Sequence, residues 1–429
     1  MKYIFRIDEV AKLNQSSITN KDKFELINYL DTSSITKGKI DSWQELKHNY
    51  PSRAKRKIKQ NTIVYSTVRP NQEHYGFFNS IEKENAIVST GFATIDVFSD
   101  NVEPIFLYYL LTQKWVTNHL HTIAENSVSA YPSINPSDIG NLRFRFPNLT
   151  KQKKIANILS DIDNKINLNN QINDNLEHMA KTLYDYWFVQ FDFPNENRKP
   201  YKSSGGKMIW NEILKREIPE GWKVTVFNDW IEKTKTGDWG KDKIEGNYTE
   251  KVYCIRGADI NGLNGKGEVK APQRYILKNN ISKALKPDDF IVEISGGSPT
   301  QSTGRIALLT ESTFERFDSN IICSNFCKAI SLKENEFSFN FLQEWQRLYD
   351  ANVFFGYEGK TSGIKNFLFE SFMESYFVIK PPKVLVERFY NQIKNIESKK
   401  QSNLKQNQQL SQLRDWLLPM LMNGQVKVE

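Results

Sequence analysis

Residues 150–190 carry the pattern of one helix far longer than a compact domain of this size needs. Apolar residues fall at Ile155, Leu159, Ile162 and Ile166, and resume at Leu176, Ala180, Leu183 and Trp187. The steps alternate between four and three, which is the heptad seam of helices that pack along their length. Asn169 and Asn173 interrupt the seam. Asn in such a seam costs stability but fixes register and partner. Forty residues of helix would reach about 60 Å. Pro147 ends the preceding strand-like run Asn141–Phe146, and Thr150 is the expected N-cap.

A second helix of the same profile starts near Val384. Phe389, Ile393 and Ile396 open its stripe, Lys400, Asn403 and Asn407 occupy the middle, and Leu410, Leu413 and Leu417 resume it. Both helices are apolar at the ends and polar in the centre, so they are expected to pack on each other. The seam would set Ile155, Leu159, Ile162, Leu176 and Leu183 against Phe389, Ile393, Ile396, Leu410 and Leu417, with Tyr186, Trp187, Phe188 and Phe191 at the helix end.

The chain reads twice. Leu183–Phe188 (LYDYWF) lines up with Leu413–Leu418 (LRDWLL) at an offset of 230. Ile87–Phe92 lines up with Ile321–Phe326 at an offset of 234, Thr62–Val64 lines up with Phe290–Val292, and Pro147 matches Pro381. Their common order points to a tandem duplication, with a unit too long for a solenoid repeat. The expected divisions are a mixed α/β domain over 1–149, a helix over 150–191, a linker over 192–215, a second domain over 216–383 and a second helix over 384–429. The linker is read from Asp192-Phe193-Pro194-Asn195-Glu196-Asn197 and Ser203-Ser204-Gly205-Gly206-Lys207. The fold class is α+β, with two domains separated by long helices.

Of the 429 residues, 39% are apolar and 13% aromatic, enough for real cores. The net charge of +8 suits a polyanionic partner, although a Lys- and Asn-rich genome produces the same balance. Three cysteines, Cys254, Cys323 and Cys327, argue for a reducing compartment and buried thiols. The start has no signal-peptide core, and the longest apolar run, Ile105–Leu111, is too short to span a bilayer. A cytoplasmic protein is expected, with no membrane partner.

Catalytic motifs do not assemble. Gly356-Tyr357-Glu358-Gly359-Lys360-Thr361 has two residues where a P-loop needs four. Gly262, Gly265 and Gly267 have the wrong order for a dinucleotide fingerprint. Pro287-Asp288 with Glu293-Ile294-Ser295 lacks the Lys that closes a nuclease core. Ile379-Lys380-Pro381-Pro382-Lys383 lacks both the Asn or Asp and the aromatic that flank Pro-Pro in an adenine methyltransferase. Neither a catalytic residue nor a metal ligand is expected.

The residues do carry a family. Leu149-Thr150-Lys151-Gln152-Lys153-Lys154-Ile155-Ala156-Asn157-Ile158-Leu159, followed by Asp161-Ile162-Asp163, resembles the opening of the central helix of the specificity subunits of type I restriction-modification enzymes. Leu183–Phe193 resembles the aromatic end of that helix, and Leu413–Leu421 resembles the terminal helix. Ile218-Pro219-Glu220-Gly221-Trp222 resembles the usual entrance to a recognition domain, and Arg256-Gly257-Ala258-Asp259-Ile260 a motif inside it. The first domain has no such entrance.

The resemblance implies two target-recognition domains, each reading half of a split double-stranded DNA site. It implies that the helices pair antiparallel, in a pseudo-two-fold coiled coil that sets the spacer. They also dock two modification (methyltransferase) subunits, with Trp187 among the docking candidates, and two restriction subunits join in systems that cut. S-adenosylmethionine, ATP and Mg are then needed only by those partners, and this chain is no enzyme.

Candidate DNA contacts follow from what such a domain needs, phosphate neutralisation and base-edge donors. Arg53, Lys55, Arg56 and Lys57 form a basic stretch, which otherwise reads as a solvated face. Arg69 and Arg305 could pair with guanine. Two loops occupy corresponding places, one with Ser127, Ser129, Tyr131, Ser133 and Asn135, the other with Tyr357, Lys360, Thr361, Ser362 and Lys365. Ser295 and Ser298 have similar composition, and Trp239 and Lys241 sit in a Gly-flanked loop. The bland reading of the two loops is a turn before a strand, and that of Trp239 is a buried ring.

Overall fold

The structure is a computed structural model that describes residues 3–127, 131–296, 300–361 and 364–426, with the backbone alone at 3, 360 and 361. The chain divides into two compact units, residues 1–164 with 410–429, and residues 165–409.

In the first unit β1 (Tyr3–Arg6), α1 (Ile7–Val10), β2 (Ala11–Leu13) and β3 (Ile27–Leu30) come first. The small hairpin β4 (Ile35–Thr36) and β5 (Lys39–Ile40) and strand β6 (Gln44–Leu46) follow. Next are β7 (Ala54–Lys57), β8 (Thr62–Ser66), β9 (Tyr75–Phe78), β10 (Ala86–Ser89) and β11 (Phe92–Val97). Helices α2 (Pro104–Leu111), α3 (Lys114–Glu125) and α4 (Pro136–Gly140) then lead into β12 (Arg143–Phe146) and the long α5 (Leu149–Tyr184).

The second unit holds the hairpin β13 (Met208–Asn211) and β14 (Arg216–Pro219), then β15 (Lys223–Val226), β16 (Ile231–Thr236) and β17 (Tyr248–Ile255). Helix α6 (Gly257–Leu263) precedes β18 (Gln273–Leu277), β19 (Asp289–Glu293), β20 (Ser295–Gly296) and β21 (Ile306–Leu309). Helix α7 (Glu311–Phe314), β22 (Asn320–Cys323), β23 (Cys327–Leu332) and α8 (Ser338–Asp350) follow. The unit ends with β24 (Glu358–Thr361), β25 (Ile364–Phe367), α9 (Phe369–Ser375), β26 (Phe377–Lys380) and the long α10 (Lys383–Met422).

The duplication is written in the strand order. One sheet of the first unit runs β2-β11-β8-β9, and its counterpart in the second runs β16-β23-β19-β21. A second sheet pairs β3 parallel to β10, and its counterpart pairs β17 parallel to β22. A two-stranded pair closes each domain, β1 with β12 and β15 with β26. The central strands β8 and β19 are buried along their whole length, as expected of Val- and Ile-rich strands covered on both faces.

The offset between halves is not constant. It is 220 residues at the starts of β2 and β16, and 234 at the starts of α5 and α10. Insertions therefore lie inside the second domain. The helix starts place Trp187 opposite Leu421 in the repeat, each 3% exposed, and Leu183 opposite Leu417. This corrects the alignment of Leu183–Phe188 with Leu413–Leu418, which chance identities had drawn four residues short.

Asn148, not Thr150, caps α5. Its Oδ1 accepts from Lys151 N at 3.0 Å. The fully buried Gln152 then ties the helix start to its own domain, donating to Asn101 O and Pro147 O and accepting from Glu103 N, each at 2.9 Å.

Both long helices have an apolar–polar–apolar profile. In the first unit Ile155 and Leu159 are buried in one cluster with Leu421, edged by Leu417 and Leu418, while Ile162 is half-buried. In the second unit Ala180, Tyr184, Trp187 and Phe188 share a core with Phe389 and Ile393, and Leu183 and Ile396 pack at its edge. Leu176 and Leu410 are half-buried. Between the apolar parts, within the second unit, Asn169 Nδ2 donates to Asn407 Oδ1 at 2.8 Å and Asn403 Nδ2 donates to Asn173 Oδ1 at 2.8 Å. Four residues forward on α5 match four back on α10, so the helices run antiparallel.

The segment expected to be a bare linker is folded. Asp192 accepts from Ser203 N and Oγ at 2.7 and 2.6 Å, and these bonds lower its carboxyl pKa. The Phe193 ring stacks on both Tyr201 and Trp222, at 4.6 and 5.2 Å. Its Gly- and Ser-rich composition is the turn chemistry of a hairpin anchored by aromatics.

Candidate nucleic-acid interface

The basic stretch of the first unit forms β7, an edge strand bonded to β10 alone among the named strands. Three of its four cations are engaged. Arg53, 61% exposed, lies 3.5 Å from Asp31. Arg56 Nη1 donates to Ser17 Oγ at 3.1 Å. Lys57 pairs with Asp22, and this bond, with two from Thr19, holds the Asp22 carboxyl down to about 2. The Lys55 side chain is exposed.

The structure brings Arg69 and the Tyr131–Asn135 segment together. Arg69 N donates to Pro132 O, and Ile134 N to Thr67 O, both at 2.8 Å, with Val68 and Ser133 bridged between them. The exposed Arg69 guanidinium lies 4.9 Å from the centre of the Tyr131 ring, itself 59% exposed. Arg69 holds φ at +46°, a left-handed conformation uncommon outside Gly and Asn. Ser133 N donates to Ser127 Oγ at 3.3 Å. Asn135 has a structural task, capping α4 in a capping box with Asp138. Ser129 lies outside the described residues.

The second unit repeats this junction. The segment after β19 pairs with the segment before α9, as Ser295 with Asn366, where Ser295 Oγ donates to Asn366 Oδ1 at 2.7 Å. Glu358 organises the rest. It accepts from Thr303 N at 2.8 Å and lies 3.0 Å from Lys365 Nζ. Lys365 also lies over the Phe355 ring. The Tyr357 ring packs edge-on against Phe372, 5.0 Å between centroids, at the margin of the core. Lys360 and Thr361 are placed by backbone pairing with Lys365 and Ile364, while Ser298 and Ser362 lie outside the described residues.

Arg305 is not turned outward. Its guanidinium grips Glu293 through Nε and Nη2 at 2.8 and 2.6 Å, with the two side chains 14% and 3% exposed. Such a pair anchors the loop from inside. Gly257 is the cradle: a Cβ there would stand 2.4 Å from Glu293 Oε1.

Trp239 is 40% exposed, and the almost buried Arg274 lies beneath its ring at 4.4 Å. The loop is held on β18 by paired Lys241–Tyr275 backbone bonds. Gly240, at φ +62°, has no room for a side chain, since its Cβ would meet Tyr275 O at 2.4 Å. Lys241 Nζ lies 3.9 Å from Glu245 and over the Tyr248 ring. Sequence reasoning missed the roles of Arg274 and Glu358, whose partners Trp239 and Thr303 lie 35 and 55 residues away, and of Glu293, whose partner Arg305 was read as a surface residue.

All three cysteines are buried, and burial pushes the thiols of Cys254 and Cys323 up to about 12. Among the described residues no group of His, Cys, Asp and Glu could hold a metal ion, and no helix is long and apolar enough to cross a membrane.

Residues 2–178 match the family model described as type I restriction modification DNA specificity domain. The chain is 26% identical to the HindI type I restriction enzyme specificity subunit of Haemophilus influenzae, over 88% of this chain and 89% of that one. It is 25% identical to the MjaIX specificity subunit of Methanocaldococcus jannaschii, over 82% and 75%. The fold matches the crystal structure of a type I restriction-modification S subunit from M. genitalium with a TM-score of 0.52, 15% identity and 98% and 96% coverage. The curated relatives span both repeats and the solved structure shares the fold, so the chain is similar over most of its length to specificity subunits of type I restriction-modification systems, and its first 178 residues carry the match to their DNA specificity domain.

Proposed function

We propose that this chain is the DNA-reading subunit of a type I restriction-modification complex, and that each of its α/β units reads one half of a bipartite target. The observation that carries this reading is the repeated junction, Val68–Ser133 in one unit and Ser295–Asn366 in the other. In both, two chain segments far apart in sequence meet at one place, with polar and cationic side chains beside them. Paired backbone holds such side chains in fixed positions, which base readout requires.

Chemistry is left to partners. Two modification subunits would bind S-adenosylmethionine and methylate adenine. In a cutting complex two restriction subunits would use ATP and Mg to translocate and cleave. The long helices supply their docking surface, with exposed Leu413 and Trp416 on the last turns of α10 and Met179 and Tyr186 on the last turns of the first helix. The same reading covers a complex that only methylates, because the two kinds share this subunit's task.

Binding of the chain, assembled with modification subunits, to a duplex carrying its target tests the reading. Affinity should fall about 10³-fold or more between about 50 and 200 mM salt if six or more phosphates are contacted, while target over random duplex is retained. Salt-independent binding, or none, would leave a protein-only scaffold. Methyl transfer or cleavage by the chain alone would mark it as an enzyme.

A further inference from the structure

Beyond the aromatic core it shares with the helix ends, the second domain meets the middle of α10 through a contact that is mostly polar. Its centre is Arg316, just after α7. Arg316 Nη1 donates to Gln401 Oε1 on α10 at 2.9 Å and to Leu263 O at 3.3 Å, and Nη2 donates to Gly262 O at 3.4 Å. The two carbonyls end α6, where backbone acceptors lack helical partners and a cation is favoured. Gln401, 2% exposed, completes the set by donating to Glu397 Oε1 at 2.8 Å.

Around this centre the contact is lined by further pairs. Lys266 Nζ is 2.8 Å from Glu177 on α5, and Lys405 Nζ is 3.0 Å from Glu315. Gly265, at φ +91°, lies against Leu404, and a Cβ there would be 3.3 Å from its Cδ2. The clamp sits in the same stretch of α10 as Asn403 and Asn407, which set helix register.

Among the described residues Arg316 forms no ion pair within 4.0 Å, and its buried Nε has no hydrogen-bond partner there; burial draws its pKa down to about 10, against a smaller upward pull from Glu397. A guanidinium enclosed this way is an expensive means of holding two elements together. A Leu or Met would pack the same volume with less desolvation. What the planar fork adds is direction: its donors reach α10 and the end of α6 together in one geometry.

We propose that Arg316 and Gln401 form a clamp that fixes the pose of the second recognition domain on the helix pair, and thereby the half-site spacing that the subunit accepts. This rests on the bipartite reading above. A base-pair step is only about 3.4 Å, so a small rotation of the domain on α10 moves its loops onto the neighbouring step.

The test uses the full chain with its modification subunits and four duplexes: the target at its natural spacing, one base pair shorter, one base pair longer, and random sequence. Wild type should favour the natural spacing by about tenfold or more. Arg316→Gln and Gln401→Ala should reduce that preference to about threefold or less, without changing affinity for random duplex. Arg316→Lys, which keeps the charge but not the fork, should fall between. Melting curves accompany each variant, and should Arg316→Gln unfold, Gln401→Ala on the helix side carries the same expectation. Variants that melt cooperatively and discriminate spacing as wild type does would overturn the clamp and leave the bipartite reading standing. A wild type indifferent to spacing would overturn both.

Discussion

Asn403 Nδ2 donates to Asn173 Oδ1 at 2.8 Å in the seam between the two long helices, where both side chains are no more than 5% exposed. The repeat offset of 234 residues carries Asn173 to position 407 and Asn169 to position 403, so this pair is the duplicate of the Asn169–Asn407 pair. Asn173→Leu alone strands the Asn403 amide and should cost about 1–3 kcal/mol in chemical denaturation. Asn173→Leu with Asn403→Leu removes both partners and should recover most of that loss. A double variant as unstable as the single one would show that the amides do more than satisfy each other.

Glu293 and Arg305 form a buried pair beneath the β20 junction, and Gly257 leaves the space for it. Arg305→Met leaves an unpaired buried carboxylate and should destabilise the chain by about 3–5 kcal/mol, read from urea midpoints. Gly257→Ala pushes a methyl against a carboxylate that its partner holds in place, and should cost about 1–3 kcal/mol. If Gly257→Ala melts like wild type, Glu293 is not held where the structure places it.

The Asp22 carboxyl, held down to about 2 by Lys57 and Thr19, titrates below the usual carboxylate value of about 3.9. A depressed folded-state pKa contributes stability above the unfolded value and loses it as pH falls towards 2. An NMR titration of Asp22 should therefore show its midpoint near 2 in wild type. In Lys57→Met the midpoint should rise part of the way to about 3.9, since the Thr19 bonds remain. An unchanged midpoint would mean that Lys57 does not touch Asp22 in solution, and would return it to the DNA candidates beside Lys55.

What could be read from the sequence followed periodicity. The helix seams are visible because Ile155, Leu159, Phe389 and Ile393 repeat at helical spacing, and their burial depends on little else. The duplication was visible where strand residues are fully buried, as at Ile87–Val88 and Ile321–Ile322. Its true offset at the helices was not, because the aromatic-rich end Tyr184–Phe188 and its repeat Leu418–Met422, which holds no aromatic, share no identity. The junction of Arg69 with Tyr131 links positions 62 residues apart, and Arg316 meets Gln401 across 85. Neither leaves a local signature. Arg305 shows the limit most plainly: a lone Arg after Thr-Gly looks like a surface contact until folding buries it against Glu293.

Arg69 offers the sharpest test of a candidate contact, because its backbone and its side chain can be separated. At φ +46° any residue with a Cβ is strained, by about 1–2 kcal/mol. Glycine removes that strain together with the guanidinium, whereas alanine removes the guanidinium alone. Arg69→Gly should therefore melt at or above wild type, and Arg69→Ala slightly below Arg69→Gly. Both lose the cation that lies over Tyr131. If that cation pairs with a guanine edge, both variants should lose about 1–3 kcal/mol of binding to the target and relax its sequence at one position. If it meets only phosphate, both should weaken target and random duplex alike and reduce the salt slope by about 1. Variants that melt as expected and bind the target at wild-type affinity and salt slope would remove Arg69 from the interface.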